Sequence, residues 1–139
     1  MNTHASKFEN LIKIGQLKTE AFIQSEFDGL KRSAKRKLID SKNNSLSTDS
    51  RFDLAYNAAH SLALAALRKQ GYRSENRYVV FQLLELTVGL QPSTWRIFSM
   101  AHQKRNLAEY EGLSDIELSL IEALIDATEK LNQAVEKLT

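Results

Sequence analysis

Phe52, Ala55, Tyr56, Ala59, Ala63, Ala66 and Leu67 fall on one face of an α-helix. This stripe constrains the fold more than any other feature of the chain. Its alanines let a second backbone approach closely, which places the helix at the centre of a bundle rather than on its surface. Ser47, Thr48 and Asp49 are suitable N-cap residues for it, and Gly71 marks its end.

The remaining segments read as further helices. The 139 residues include one proline, and breakers and β-branched runs are scarce, so helix is expected throughout. A first helix over 5–14 buries Phe8, Leu11 and Ile12, stops at Gly15 and packs as a lid. From about Ala21 to Ser41, the side chains Ile23, Phe27, Leu30, Ala34 and Leu38 share one face despite Gly29, and 42–47 is a loop. Tyr78 to Phe81 tolerate a strand, but the Gln-Leu-Leu-Glu-Leu that follows favours helix and no partner strand is evident, so 77–88 is read as a short helix. Pro92 and Ser93 start the next helix, which ends at Glu111-Gly112. Ser114 and Glu117 form a capping box for the last one, which aligns Ile116, Leu120, Ala123, Ala127, Leu131, Ala134 and Leu138. The fold class is therefore all-α: an up-and-down bundle of four to five main helices. It forms a single domain over 1–139, with a core of about 47–138 on which the helices 5–15 and 21–41 pack.

Several function classes are excluded or disfavoured by composition. Without cysteine there is neither a disulfide framework nor a zinc–thiolate site. No nucleotide-binding glycine loop, internal repeat or metal-ligand cluster is evident, so neither a cofactor nor a metal is expected. The segment Met1 to Phe8 is polar, and no run approaches the roughly twenty apolar residues of a membrane span, so the expectation is a cytoplasmic chain that does not enter membranes. A net charge of +2 decides nothing about nucleic acid, which would need a local patch.

Chemistry concentrates near the end of the helix that begins at Pro92. Trp95, Phe98, His102, Arg105 and Glu109 share one face there, flanked by Ile97, Ala101 and Ala108, so polar groups interrupt a stripe that should be buried. A long cation on such a stripe pairs inside the fold, snorkels to an edge, or meets an anion such as phosphate. The run is Lys104-Arg105-Asn106-Leu-Ala-Glu109-Tyr110-Glu-Gly112, and the earlier core helix reads Phe52-Asp-Leu-Ala-Tyr56-Asn-Ala-Ala-His60.

Together these two segments resemble the HEPN superfamily of small helical-bundle proteins, in particular its bacterial branches with an Arg-Asn…Glu-Tyr motif. The resemblance spans roughly 47–138. It implies a metal-independent ribonuclease, often the toxin of a toxin–antitoxin pair, whose motif is Arg, four to six residues, then His. Arg105 and Asn106 match the opening of that motif, and Tyr110 stands where the histidine would be. A phenol with an ordinary pKa of ~10 is a poor base at neutral pH, although it donates a proton or hydrogen bond. The resemblance also implies a homodimer with the two motifs facing one another across a cleft, and a partner such as an antitoxin or nucleotidyltransferase.

Cleavage of RNA needs a base for the 2′-hydroxyl proton, an acid for the leaving oxygen and a cation on the phosphorane. The candidate catalytic residues are Arg105, Tyr110 and His102; Asn106, Lys104 and Glu109 are candidate substrate-binding residues. Each has a plainer role. Arg105 and Glu109 are spaced for a helical ion pair. His102 can be a core or interface residue beside Trp95 and Phe98, Asn106 can cap a carbonyl, and the Tyr110 ring can close the core. Arg105 and Tyr110, five positions apart, converge only if the helix loosens. His60 lies where it can approach His102 between packed helices or simply pack, and His4 carries no weight. The cations Lys31, Arg32, Lys35, Arg36 and Lys37 are either a solvated face or a phosphate-tracking stripe. Two functional expectations follow: an RNA- or nucleotide-engaging protein, with a divergent ribonuclease toxin as its catalytic form, or a non-catalytic interaction module. A bundle whose Arg105–Glu109 pair is purely structural is the third.

Overall fold

The computed structural model describes residues 3–111 and 116–138, with side chains from 6 to 109 and from 116 to 138. The elements in order are α1 (Thr3–Lys13), β1 (Lys18–Thr19), α2 (Gln24–Ser41), α3 (Thr48–Lys69), β2 (Tyr72–Arg73), α4 (Arg77–Gln82), α5 (Leu84–Val88), α6 (Pro92–Glu111) and α7 (Leu118–Glu136). The architecture is an all-α helical bundle.

Helix α3 is the axis of the bundle, and its alanines are the reason. Ala55, Ala58, Ala59, Ala63, Ala65 and Ala66 are all buried, which lets α2 lie closely along one side and α7 along another. The Ser47 hydroxyl caps the helix by accepting from the Ser50 amide at 3.1 Å, and its C-terminal end turns through Gly71 at φ +88°. Phe27, Ala34 and Leu38 of α2 are buried against it.

The start of α2 differs from expectation. Residues before Gln24 are extended, because Lys18–Thr19 pairs antiparallel with Tyr72–Arg73. The wholly buried Arg68 guanidinium takes up the carbonyl oxygens of Glu20 at 2.8 Å and Ala21 at 2.5 Å, acceptors that a helix starting at Ala21 would have used itself. Arg68 also bonds Glu26, and Arg73 ties Glu20 and Glu26 together, so four charges clamp the N-terminal arm to α3. Ile23 is left exposed as a result. The first helix is held by Phe8, which is buried and stacks on Tyr72 with ring centroids 4.6 Å apart.

The segment 77–88 is two short helices, α4 and α5. Asn76 caps the first by accepting from the Val79 amide at 3.2 Å, and Val79, Val80 and Phe81 are buried. In α7 the buried face consists of Ile121, Leu124, Ala127, Thr128, Leu131 and Val135, rotated from the face through Leu120, Ala123 and Ala134 that the sequence suggests. The helix packs against α3, α6 and α2, so a broad stripe is covered and its centre follows the larger side chains of Ile121, Leu124 and Val135. Glu117 is its N-cap residue without a side-chain cap bond, and Ser114 lies outside the described residues.

Candidate functional site

Three helices converge on Tyr56. From α3 come Asp53, Tyr56, Asn57 and His60; from the first turn of α4, Arg77 and Tyr78; from α6, His102, Arg105, Asn106 and Glu109. The sets on α3 and α6 both follow the spacing i, i+3, i+4, i+7, which is one helical face. Asn76 fixes where α4 begins and so where Arg77 and Tyr78 stand.

Tyr56 is fully buried, and its hydroxyl lies 2.9 Å from His102 Nδ1. Asn106 Nδ2 sits 3.3 Å from the other ring nitrogen, Nε2. A neutral imidazole has one donor and one acceptor. With the amide in this orientation Nε2 accepts and Nδ1–H donates to Tyr56 Oη; turning the amide over reverses both roles. The guanidiniums of Arg105 and Arg77 lie over the Tyr56 ring, 5.2 and 5.5 Å from its centroid. Arg77 also donates to Asn57 Oδ1 at 3.4 Å, and Arg105 pairs with Glu109 at 3.1 Å. Tyr78 stands beside His102, with centroids 6.3 Å apart.

The electrostatics follow from this crowding of cations. Burial first, then Arg105 and Arg77, hold His102 below its ordinary pKa, so its ring is neutral at neutral pH. His60 is pushed down to about 4 by burial and by Arg77, Arg105, His102 and Lys37. Burial raises the Asp53 carboxyl, with Arg105 opposing. The arrangement therefore offers two guanidiniums and a neutral, partly exposed imidazole: groups suited to holding an oxyanion and accepting a proton beside it.

Of the residues singled out from sequence, His102, Arg105, Asn106 and Glu109 meet here, and His60 joins their edge. Asn106 bonds the imidazole rather than capping a carbonyl. Lys104 faces elsewhere, in a groove between α6 and α7 lined by Ile97, Met100 and Leu120. Helix α6 continues through Tyr110 to Glu111, without the loosening that Arg105 and Tyr110 would need in order to converge; the Tyr110 side chain and Gly112 lie outside the described residues. Sequence reasoning missed Tyr56, which reads as core, along with Asp53, Asn57, Arg77 and Tyr78. The polar i, i+4, i+7 series Asp53, Asn57, His60 on the edge of an alanine face was the signal available for α3.

The basic stripe on α2 is partly compensated, since Lys31 and Lys35 approach Glu136 of α7 at 3.7 and 3.1 Å. Among the described residues no group of three or more His, Cys, Asp or Glu side chains is placed to hold a metal ion, and no described helix is long and apolar enough to cross a membrane. No family model, curated protein or solved structure matches the chain.

Proposed function

We propose that the chain is an HEPN-like protein that engages RNA or a nucleotide through the cluster around Tyr56, with a metal-independent ribonuclease toxin as its catalytic form. The observation that supports this reading is the convergence of Arg77 and Arg105, from different helices, on the ring whose hydroxyl holds His102. A phosphate drawn between those guanidiniums would displace Glu109 from Arg105 and lie beside a neutral imidazole. In that arrangement His102 takes the proton of the 2′-hydroxyl, the 2′ oxygen bonds to phosphorus, and the bond from phosphorus to the 5′ oxygen breaks, leaving a cyclic phosphate. The departing oxygen needs a proton; because α6 runs unbroken past Arg105, position 110 lies off that face, and Tyr110 serves as this acid from the second copy of a homodimer. His102 thus supplies the basic nitrogen that the phenol at position 110 lacks, and Arg105 the charge on the phosphorane.

The test is incubation of the purified protein with labelled RNA in EDTA beside Arg105→Ala, His102→Ala and Tyr110→Phe variants. Discrete fragments from wild type that vanish with Arg105→Ala and His102→Ala support the catalytic form; intact RNA in every lane removes it. A second reading is a non-catalytic module in a cytoplasmic complex, forming a homodimer or docking an antitoxin or nucleotidyltransferase. It is favoured by the exposed Met100 and Leu107 on the side of α6 away from His102. Analytical ultracentrifugation of wild type against Met100→Lys/Leu107→Lys distinguishes the dimer from a monomer.

A further inference from the structure

We propose that Tyr78 is a stacking platform for an unpaired nucleobase, so that the site takes a nucleotide unit in preference to a bare phosphate or a duplex. This rests on the anion-engaging reading of the same cluster and adds to it the class of ligand.

Tyr78 stands out within α4. Its neighbours Val79, Val80 and Phe81 are buried, whereas Tyr78 is 40 % exposed. What distinguishes it from the other exposed apolar side chains is its place, since its ring borders the cluster and part of it stays open to solvent. The surface beside it is the cluster: its ring centroid is 6.3 Å from that of His102, with the planes tilted by 38°. It also follows directly on Arg77, whose guanidinium lies over Tyr56. A partly exposed aromatic ring next to guanidiniums and a hydrogen-bonding imidazole matches the parts of a nucleotide, with the base on the ring and the phosphate on the cations. Bases within a duplex are already stacked and cannot use such a ring, whereas an unpaired base from a single strand or a free mononucleotide can.

Fluorescence anisotropy of a labelled single-stranded ribo-oligonucleotide tests this, with its duplex, a nucleoside 5′-monophosphate and ribose 5-phosphate as competitors. Tyr78→Ala should weaken binding of the single strand by on the order of tenfold and Tyr78→Phe should retain it, because the ring and not the hydroxyl is used. Ribose 5-phosphate, which has no base, should compete equally well against wild type and Tyr78→Ala. Competition by the monophosphate near the strength of the oligonucleotide assigns a free nucleotide as ligand, and competition by RNA alone assigns the strand; both support the platform. Unchanged binding by Tyr78→Ala, equal loss for ribose 5-phosphate, or duplex binding as tight as single strand overturns it while leaving the anion-engaging reading in place. Failure of every phosphate, ribose 5-phosphate included, to compete or bind overturns both.

Discussion

The hydroxyl of Tyr56 and Nδ1 of His102 lie 2.9 Å apart, which joins the most buried helix of the bundle to the partly exposed edge of α6. The contact fixes one edge of the imidazole to a rigid element. Among the described residues the opposite nitrogen is met by the 3.3 Å approach of Asn106 alone, so it is the edge from which a ligand can take over a hydrogen bond.

Acid should destabilise this region before the carboxylates titrate. His60 has its pKa lowered from 6.5 to about 4, and His102 is lowered as well. Between those values the unfolded chain binds a proton that the folded chain refuses, so stability falls with pH across that window, by up to about 3 kcal/mol for His60. Denaturant titrations at about pH 7 and about pH 5 should show the drop, reduced in His60→Gln. An equal drop in the variant would contradict the assignment.

Removing the Arg68 guanidinium should be among the most damaging single changes. Arg68 is wholly buried and bonds Glu26 together with the carbonyls of Glu20, Ala21 and Tyr72. Arg68→Ala leaves those acceptors unpaired, and a loss of about 3–5 kcal/mol is expected in equilibrium unfolding. Arg68→Lys should recover only a small part, since an ammonium cannot reproduce the fork. A loss below 1 kcal/mol, roughly that of a surface pair, would show that the clamp is dispensable.

Glu109 and Arg105 form a half-exposed pair, with side chains 58 % and 29 % accessible. Such a pair contributes only about 0.3–0.5 kcal/mol, so Glu109→Gln should leave the melting temperature nearly unchanged. It should also strengthen RNA binding by about threefold, because the carboxylate no longer competes with phosphate for the guanidinium. Weaker binding by the variant would mean that the pair positions Arg105 for its ligand.

The cap at Ser47 is a simpler case. Its hydroxyl accepts from the Ser50 amide at the head of α3, and Ser47→Ala should cost about 1 kcal/mol by chemical denaturation. Ser47→Asp should restore it, through the same acceptor and a favourable charge at the helix start.

Much of the fold was legible because it is local. Ser47, Gly71 and Pro92 punctuate helices through backbone chemistry that acts within a few residues, and the alanines of α3 announce a central position. The pairing of Lys18–Thr19 with Tyr72–Arg73 was not legible, since two residues carry no alternating pattern and the cause is a buried arginine more than forty positions from the Glu20 and Ala21 carbonyls that it holds. The site divides in the same way. His102, Arg105 and Glu109 share one helical face and were gathered from spacing, whereas Asn106 entered through the resemblance of its motif. Arg77 and Tyr78 arrive from another helix, and Tyr56 looks like core because it is core, although its hydroxyl meets His102 and its ring carries the two guanidiniums.

The claim that Arg77, Arg105 and His102 form one anion-engaging site is tested most directly by nuclear magnetic resonance. A nucleoside monophosphate would be titrated into labelled protein while the His102 ring and the Arg77 and Arg105 side-chain signals are followed. Saturable shifts at all three, abolished at His102 by Arg105→Ala, are the predicted result. Shifts confined to the basic face of α2, around Lys31 to Lys37, or no saturable shift at His102, would contradict it.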